Sequence, residues 1–393
     1  MSKKTIVIGI TGGIAVFKIA QLVSNLKKKD YEIHVIMSEN ATKFMAPLTF
    51  ETLSNNRVSI NTFDRNFMYD VEHISLAKKA DVFLVAPATA NIIGKMANGI
   101  SDDMLSTTLL ATKAPVIVAP AMNTNMLLHP STIANIEKIK SFGYTVIESE
   151  EGLLACNDVG LGKLASLDTI EEEIEIALSD KPLKGKKILI SAGPSIEEID
   201  PVRYITNHSS GKMGYSIAKA ARNLGADVTL VSGKTSIDKP YKVNVINAFN
   251  ASSMFDEITK ISDEFDVIIM SAAVADYTVL NKADSKIKKS GDLTLSLVRT
   301  KDILETLGKN KKEKQILIGF AMETENLIEN AEKKLEKKNC DFIVCNSINE
   351  KGAGFGVDTN IVTIIGKNSK KELGLLSKMD TAYKILEYCI GEK

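Results

Sequence analysis

Three side chains in the first half of this 393-residue chain stand where their types could do chemistry. His73 lies in Val71-Glu72-His73-Ile74-Ser75-Leu76-Ala77 and is one of only 4 histidines. A lone histidine is often structural, but an imidazole, titrating near 6.5 when unperturbed, suits a general base. Asn123 lies in Pro120-Ala121-Met122-Asn123-Thr124-Asn125-Met126, directly after an apolar run. A plain turn asparagine is the alternative there. Cys156 lies in the polar, Gly-rich stretch Ala155-Cys156-Asn157-Asp158-Val159-Gly160-Leu161-Gly162-Lys163. Buried cysteines are usually inert, whereas one on such a loop is a candidate acid or nucleophile.

Other residues suit anions. Thr11-Gly12-Gly13 joins an apolar run to a helical pattern, so free helix amides face the turn. The spacing is not a dinucleotide fingerprint, and an ordinary tight turn competes with the anion site. Ser38, Thr89 and Asn91 follow later apolar runs and add hydroxyls and an amide at one sheet edge. Together these favour a phosphate-bearing mononucleotide. In the second half, Asn207-His208-Ser209-Ser210-Gly211-Lys212 precedes Ile217, Ala221 and Leu224 at helical spacing, again an anion-binding helix start or simply a capped one. Asp276 follows an apolar run and is placed to hold a metal or read a base. Lys286-Ile287-Lys288-Lys289 is a basic cluster, Phe320 ends another run, and Lys334 and Lys338 share a helix face at i, i+4. The residues alone define no ligand set for a metal.

The elements that position these groups follow from apolar periodicity. Strands are expected at 5–10, 33–37, 82–86, 116–119 and 144–147, apolar throughout, as when helices cover both sheet faces. Helices fit between most of them, which gives a doubly wound α/β unit. A polar joint follows at Ser179–Gly185. The pattern then restarts with strands expected at 187–190, 227–231, 266–270, 315–320 and 341–344. The fold class is thus α/β, with two doubly wound Rossmann-like domains at 1–180 and 181–393 and no sequence repeat.

Composition narrows the function classes. Hydrophobic residues make up 44% and charged residues 25%, which excludes a disordered or fibrous chain. The net charge of zero offers no global attraction to nucleic acid or anionic membrane. It hides an asymmetry, because residues 1–180 hold 16 Lys+Arg against 21 Asp+Glu and residues 181–393 hold 33 against 28. No apolar run approaches the ~20 residues needed to span a bilayer. Residues 5–17 follow two lysines but lack a signal-peptide cleavage pattern. The 4 cysteines make no disulfide framework and read as reduced thiols of a cytoplasmic protein.

The first half resembles the flavin-dependent cysteine decarboxylases, whose fold is flavodoxin-like. Thr11-Gly12-Gly13-Ile14, His73, Pro87-Ala88-Thr89-Ala90-Asn91, Pro120-Ala121-Met122-Asn123 and the Cys156 loop occur in the family's order. The resemblance implies FMN near Gly12, Gly13, Ser38, Thr89 and Asn91, with Met126 packing by the flavin. It implies His73 as base, Asn123 holding a substrate carboxylate and Cys156 as proton donor. The chemistry needs all three. An acyl cysteine loses CO₂ poorly until its thiol is oxidised to a thioaldehyde, for which a flavin accepts hydride; the resulting enethiol is then reduced and protonated. The family usually has Gly at the position of Asn157 and Met at that of Leu164.

The second half resembles phosphopantothenate–cysteine ligases through Asp200–Gly214, Ala272–Tyr277, Lys286–Lys289, Gly319–Thr324 and Asp341–Asn346. The resemblance implies activation of a carboxylate by CTP as an acyl-cytidylate, followed by attack of the cysteine amine. Asp276, Lys286, Phe320, Lys334 and Lys338 would bind the nucleotide, with Lys301, Asp302, Ile303 and Leu304 alongside. Asn207 would serve the acyl intermediate, and Mg2+ would shield the phosphates. Lys301 stands where Pro is usual, Met322 where Ala is common, and Cys345 precedes Asn346.

The order of the two halves is similar to that of the bifunctional coenzyme A biosynthesis family, in which the ligase product is the decarboxylase substrate. The expected partners are therefore small molecules (phosphopantothenate, cysteine and CTP), with no nucleic acid and no membrane. A homo-oligomer is expected, trimer-based through the flavin domain and dimeric through the ligase domain. The alternatives are a flavin-binding regulatory protein without catalysis, against which His73, Asn123 and Cys156 argue, and a decarboxylase with a vestigial ligase domain, against which Asn207 and Lys286 argue.

Overall fold

A computed structural model describes residues 3–63, 71–288, 291–323, 327–347, 354 and 356–391. Two compact units result, Met1–Ser179 and Asp180–Lys393.

In the first unit, β1 (Thr5–Ile10), β2 (Glu32–Met37), β3 (Val82–Ala88), β4 (Val116–Pro120) and β5 (Thr145–Val146) form one parallel sheet in the order β2-β1-β3-β4-β5. This is the flavodoxin-like order, and its switch point lies between β1 and β3. Every residue of β3 and β4 is buried, because helices lie on both faces. Alternate strand residues feed two cores. Ile6, Ile8 and Leu84 pack with the helix Val16–Lys28, while Val7, Phe83 and Val85 pack with Leu76, Ile92 and Leu105. Two further strands, β6 (Glu150–Leu153) and β7 (Val159–Lys163), pair as an antiparallel hairpin where the sequence suggested only a loop.

The second unit has β8 (Lys187–Ala192), β9 (Ile196–Glu198), β10 (Tyr204–Thr206), β11 (Asp227–Ser232), β12 (Asn244–Asn247), β13 (Val267–Met270), β14 (Tyr277–Val279), β15 (Leu297–Arg299), β16 (Ile316–Glu323), β17 (Phe342–Ser347), β18 (Thr359–Gly366) and β19 (Ser369–Ser377). Eight of them make the main sheet, in the order β12-β11-β8-β13-β16-β17-β18-β19. The six from β12 to β17 follow the Rossmann order, with the switch point between β8 and β13. The antiparallel hairpin β18–β19 extends the sheet beyond β17. Residues alternate buried and half-buried along most of β18, the pattern of a strand with one better-covered face, and a search for all-apolar parallel strands passes over it. β9–β10 and β14–β15 are small antiparallel ribbons above the strand ends. Among the described residues no helix is long and apolar enough to cross a membrane.

Candidate active sites

In the first unit the anion turn is built by close backbone approach. The Thr11 hydroxyl donates to the Pro87 carbonyl at 2.5 Å and accepts from the Thr89 amide at 3.1 Å, which ties the end of β1 to the end of β3. A Cβ on Gly12 would lie 2.5 Å from Asn40 Cβ, so the turn closes only around glycine. Beside Gly13 the nearest atoms to such a Cβ are 3.8 Å and 3.9 Å away, which leaves that backbone accessible. Ser38 and Thr89 both cap helices, accepting from the Ala41 amide at 3.3 Å and the Ile92 amide at 3.5 Å. Gly12, Gly13, Ser38 and Thr89 thus follow β1, β2 and β3 at one sheet edge. Asn91 is exposed on the first turn of the next helix, and Met126 is half-exposed on the short helix after β4.

Cys156 sits at the tip of the β6–β7 hairpin. The turn is closed by Leu154 N–H donating to the Asp158 carbonyl at 2.8 Å and by Asn157 N–H donating to the Leu154 carbonyl at 3.0 Å. Two glycines let the hairpin lie against the end of β4. A Cβ on Gly162 would come within 2.1 Å of the Met122 carbonyl, and one on Gly160 within 2.6 Å of Thr124 Oγ1. In return, Met122 N–H donates to the Gly162 carbonyl at 3.0 Å and Thr124 Oγ1 to the Leu161 carbonyl at 2.7 Å. This docking brings Asn123 Nδ2 to 3.5 Å from Cys156 Sγ, and Cys156 Sγ donates to Asp158 Oδ2 at 3.3 Å. Gly13, Ile14, Phe17, Asn123, Leu154 and Cys156 line one cleft of about 440 Å³. Cys156 is exposed, whereas Cys340, Cys345 and Cys389 are buried. Burial pushes the Cys340 and Cys389 thiols up to about 12, which leaves them inert at neutral pH.

His73 does not line this cleft. Its helix, Glu72–Lys79, packs through Leu76 on the sheet face opposite the one covered by Val16–Lys28. Within one chain, the expected base and the expected acid are therefore on different faces of the sheet.

The second unit gathers eight of the nine residues expected for the nucleotide. Asp276, Lys301, Asp302, Ile303, Leu304, Phe320, Lys334 and Lys338 line a cleft of about 490 Å³. Lys338 Nζ donates to Asp302 at 2.7 Å and to Glu305 at 2.7 Å. Burial alone would lower the Lys338 ammonium, but these two carboxylates outweigh it and hold the group above its ordinary value. Glu305 is lowered to about 2 by hydrogen bonds from Lys309 and Lys338. Lys334 Nζ donates to the Phe320 carbonyl at 2.9 Å, and Lys301 Nζ stands 4.6 Å above the Phe255 ring. Lys286 is exposed and lies outside this lining. Lys289 and Thr324 fall outside the described residues.

A second cleft of about 280 Å³ shares Ala272, Val274, Asp276, Phe320 and Lys334 with the first, so the two are continuous. It runs to Ser209, Ser210 and Gly211, which precede the helix Lys212–Asn223. Gly214 is required there, since a Cβ would sit 2.5 Å from Ala192 Cβ and 3.0 Å from the Ser191 carbonyl. Asn207 Nδ2 donates to the Ala273 carbonyl at 2.8 Å, which fixes it beside the same loop. Sequence reading passed over Lys378. It is buried, lines this cleft and donates to the Gly354 carbonyl at 3.3 Å and to the Val357 carbonyl. Lys212 Nζ holds the same segment through the Gly356 carbonyl at 3.0 Å and Asp358 at 2.6 Å. The signal available in the sequence was a lysine immediately after the cap Ser377.

Residues 1–179 match the family model described as Flavoprotein, and residues 183–391 the one described as DNA/pantothenate metabolism flavoprotein C-terminal domain. Fold and matches together define a two-unit α/β flavoprotein of pantothenate metabolism. More narrowly, the chain belongs to the family of coenzyme A biosynthesis bifunctional proteins. It is 47% identical to the coenzyme A biosynthesis bifunctional protein CoaBC of Bacillus subtilis, over 98% of this chain and 97% of that protein. It is 45% identical to the protein of the same name from Borreliella burgdorferi, over 98% of each. A crystal structure of the C-terminal domain of such a protein is 47% identical, covers 52% of this chain and 96% of its own, and superposes with a TM-score of 0.46.

Proposed function

We propose that residues 1–180 form an FMN-dependent phosphopantothenoylcysteine decarboxylase and residues 181–393 a CTP-dependent phosphopantothenate–cysteine ligase. The chain is a bifunctional enzyme of coenzyme A biosynthesis: it joins phosphopantothenate to cysteine and decarboxylates the product to phosphopantetheine. The observation that carries this reading is the end-to-end match to bifunctional relatives of a chain in which each unit keeps its own cleft at a sheet edge.

The first unit's residues fit a phosphate-bearing flavin. The Gly13 backbone is open, and Ser38 and Thr89 head helices whose first amides face the same edge. Bound FMN supplies the hydride acceptance and return that the carbon chemistry requires. Gly12, Gly13, Ser38, Thr89 and Asn91 hold it, and Met126 packs beside it. His73 takes a proton from the substrate, Asn123 holds the carboxylate that leaves as CO₂, and Cys156 returns a proton. The opposed placement of His73 and Cys156 favours a site completed by a second copy, in line with a trimer-based first unit and a dimeric second unit.

In the ligase, the substrate carboxylate attacks the α-phosphate of CTP and pyrophosphate leaves. The cysteine amine then displaces CMP. Asp276, Phe320, Lys334, Lys338 and the Lys301–Leu304 turn hold the nucleotide, Lys286 approaches from its loop, and Asn207 orients the acyl group. Mg2+ would shield the triphosphate charge as a counter-ion. The four free thiols suit the cytoplasm, where cysteines stay reduced.

The test is a one-pot conversion followed by mass, with CTP and ATP compared. Phosphopantothenate, cysteine and CTP should give phosphopantetheine with release of pyrophosphate and CO₂. A colourless protein that takes up no FMN would overturn the first half of the reading. Pyrophosphate release independent of phosphopantothenate would overturn the second.

A further inference from the structure

We propose that Asp158 is a positioning residue for the proton transfer at Cys156, holding the thiol toward the cleft and resupplying its proton from solvent. This rests on the decarboxylase reading of the first unit and adds a residue that the reading does not use.

The argument begins with the division of labour in the hairpin tip. The turn is closed by backbone, through the Asp158 carbonyl and the Asn157 amide, and the left-handed position is taken by Asn157 at φ 67°. The Asp158 carboxylate is therefore not needed to make the turn. Among the described residues its one hydrogen-bonded partner is the Cys156 thiol, at 3.3 Å. Asn123 Nδ2 approaches the same sulfur from the strand side at 3.5 Å. The sulfur thus sits between a donor fixed by β4 and an acceptor fixed by its own turn. Asp158 is itself exposed, so its carboxylate exchanges protons with water.

The step balances with no further reactant. The S–H bond of Cys156 breaks, and its proton forms a C–H bond at the carbon from which CO₂ departed. The S–H electron pair stays on Sγ as a thiolate. Asp158 takes one proton from water and passes it to Sγ, so each turnover consumes one solvent proton. The negative charge of Asp158 beside the new thiolate favours that return.

The experiment uses the full FMN-loaded chain with phosphopantothenoylcysteine and the variants Asp158→Asn, Asp158→Glu and Cys156→Ser. In a single anaerobic turnover, Asp158→Asn should release CO₂ within about two-fold of the unaltered rate while product formation slows on the order of 10-fold to 100-fold, below the full contribution of a general acid. The enethiol should accumulate in the mass spectrum. Asp158→Glu should restore most of the product. A second readout needs no turnover: iodoacetamide should label Cys156 several-fold faster at neutral pH in Asp158→Asn, because removing the neighbouring charge favours thiolate. Product at the unaltered rate with unchanged labelling would overturn the relay, as would loss of CO₂ release together with product. Cys156→Ser separates the two readings. If it releases CO₂ and accumulates enethiol while Asp158→Asn behaves as the unaltered enzyme, only the relay fails. If Cys156→Ser forms product at the unaltered rate with no enethiol, the proton-donor role of Cys156 fails and the relay with it, and if the unaltered chain releases no CO₂, the decarboxylase reading itself fails.

Discussion

Asn157 occupies the left-handed backbone region at φ 67°, where glycine is free of strain and asparagine is the next most tolerant residue. Its departure from the family's glycine is therefore conservative in backbone terms. Asn157→Gly should leave labelling of Cys156 and product formation unchanged. Asn157→Val should cost about 1–2 kcal/mol of local stability, visible as faster proteolysis of the hairpin and slower product formation. Gly162 is far less forgiving, because at φ 127° an added Cβ would meet the Met122 carbonyl at 2.1 Å. Gly162→Ala should keep the protein yellow but abolish product formation, since the turn carrying Cys156 would lift away from Asn123. Leu164, where the family has Met, is buried in the core cluster with Ile170 and also lines the cleft that holds Cys156. Cys156 was legible because a thiol in a polar Gly-rich stretch stands out. Its bond to Asp158 was not, because the direction of a side chain at a tight turn depends on dihedrals that neither residue type dictates.

Loops in the second unit are held by single ionic anchors. Asp200 is buried and accepts from the Val202 and Arg203 amides at 2.8 Å each, from Arg203 Nε at 2.9 Å and Nη2 at 2.5 Å, and from the Ile287 amide at 3.2 Å. It thereby fastens the segment carrying Lys286 to the turn before β10. The Arg203 guanidinium, more than any other group, holds the Asp200 carboxyl well below the usual carboxylate range. A depressed pKa contributes stability above the unfolded value, near 3.9, and loses it as pH falls toward the folded value. The Lys286 segment should therefore stay protected from acid proteases until well below pH ~4. Asp200→Asn should expose Lys286 and Lys288 to trypsin at neutral pH and raise the KM for CTP. On the far side of the cleft, Lys378→Met removes the bonds to Gly354 and Val357, charge-assisted contacts worth about 1.5–3 kcal/mol each. It should weaken ligation while leaving decarboxylation untouched, measured by the two half-reactions on one preparation. The strands around both clefts were legible because parallel strands covered on both faces are apolar throughout. The hairpins β6–β7 and β18–β19 were not, since glycines interrupt the first and half-covered alternation disguises the second.

Among the described residues, Ile8 and Phe83 belong to apolar clusters of the first unit, and Ile190 and Leu317 to apolar clusters of the second. Chains cut between Ser179 and Asp180 should therefore fold separately, the first binding FMN and the second releasing pyrophosphate, as checked by thermal melting and by each half-reaction alone. The charge asymmetry then belongs to two distinct surfaces, and rising salt should weaken CTP use more than flavin retention. The outer strands of the main sheet in the second unit bear on the life of the protein outside its chemistry. β12 is only four residues long, and β19 carries Lys370, Lys371 and Glu372 along an exposed rim. Unpaired backbone on a sheet rim is a template for foreign strands, and brevity at one margin with charge at the other refuses that template. The sheet of the second unit is thereby guarded at both margins against amyloid-like self-association.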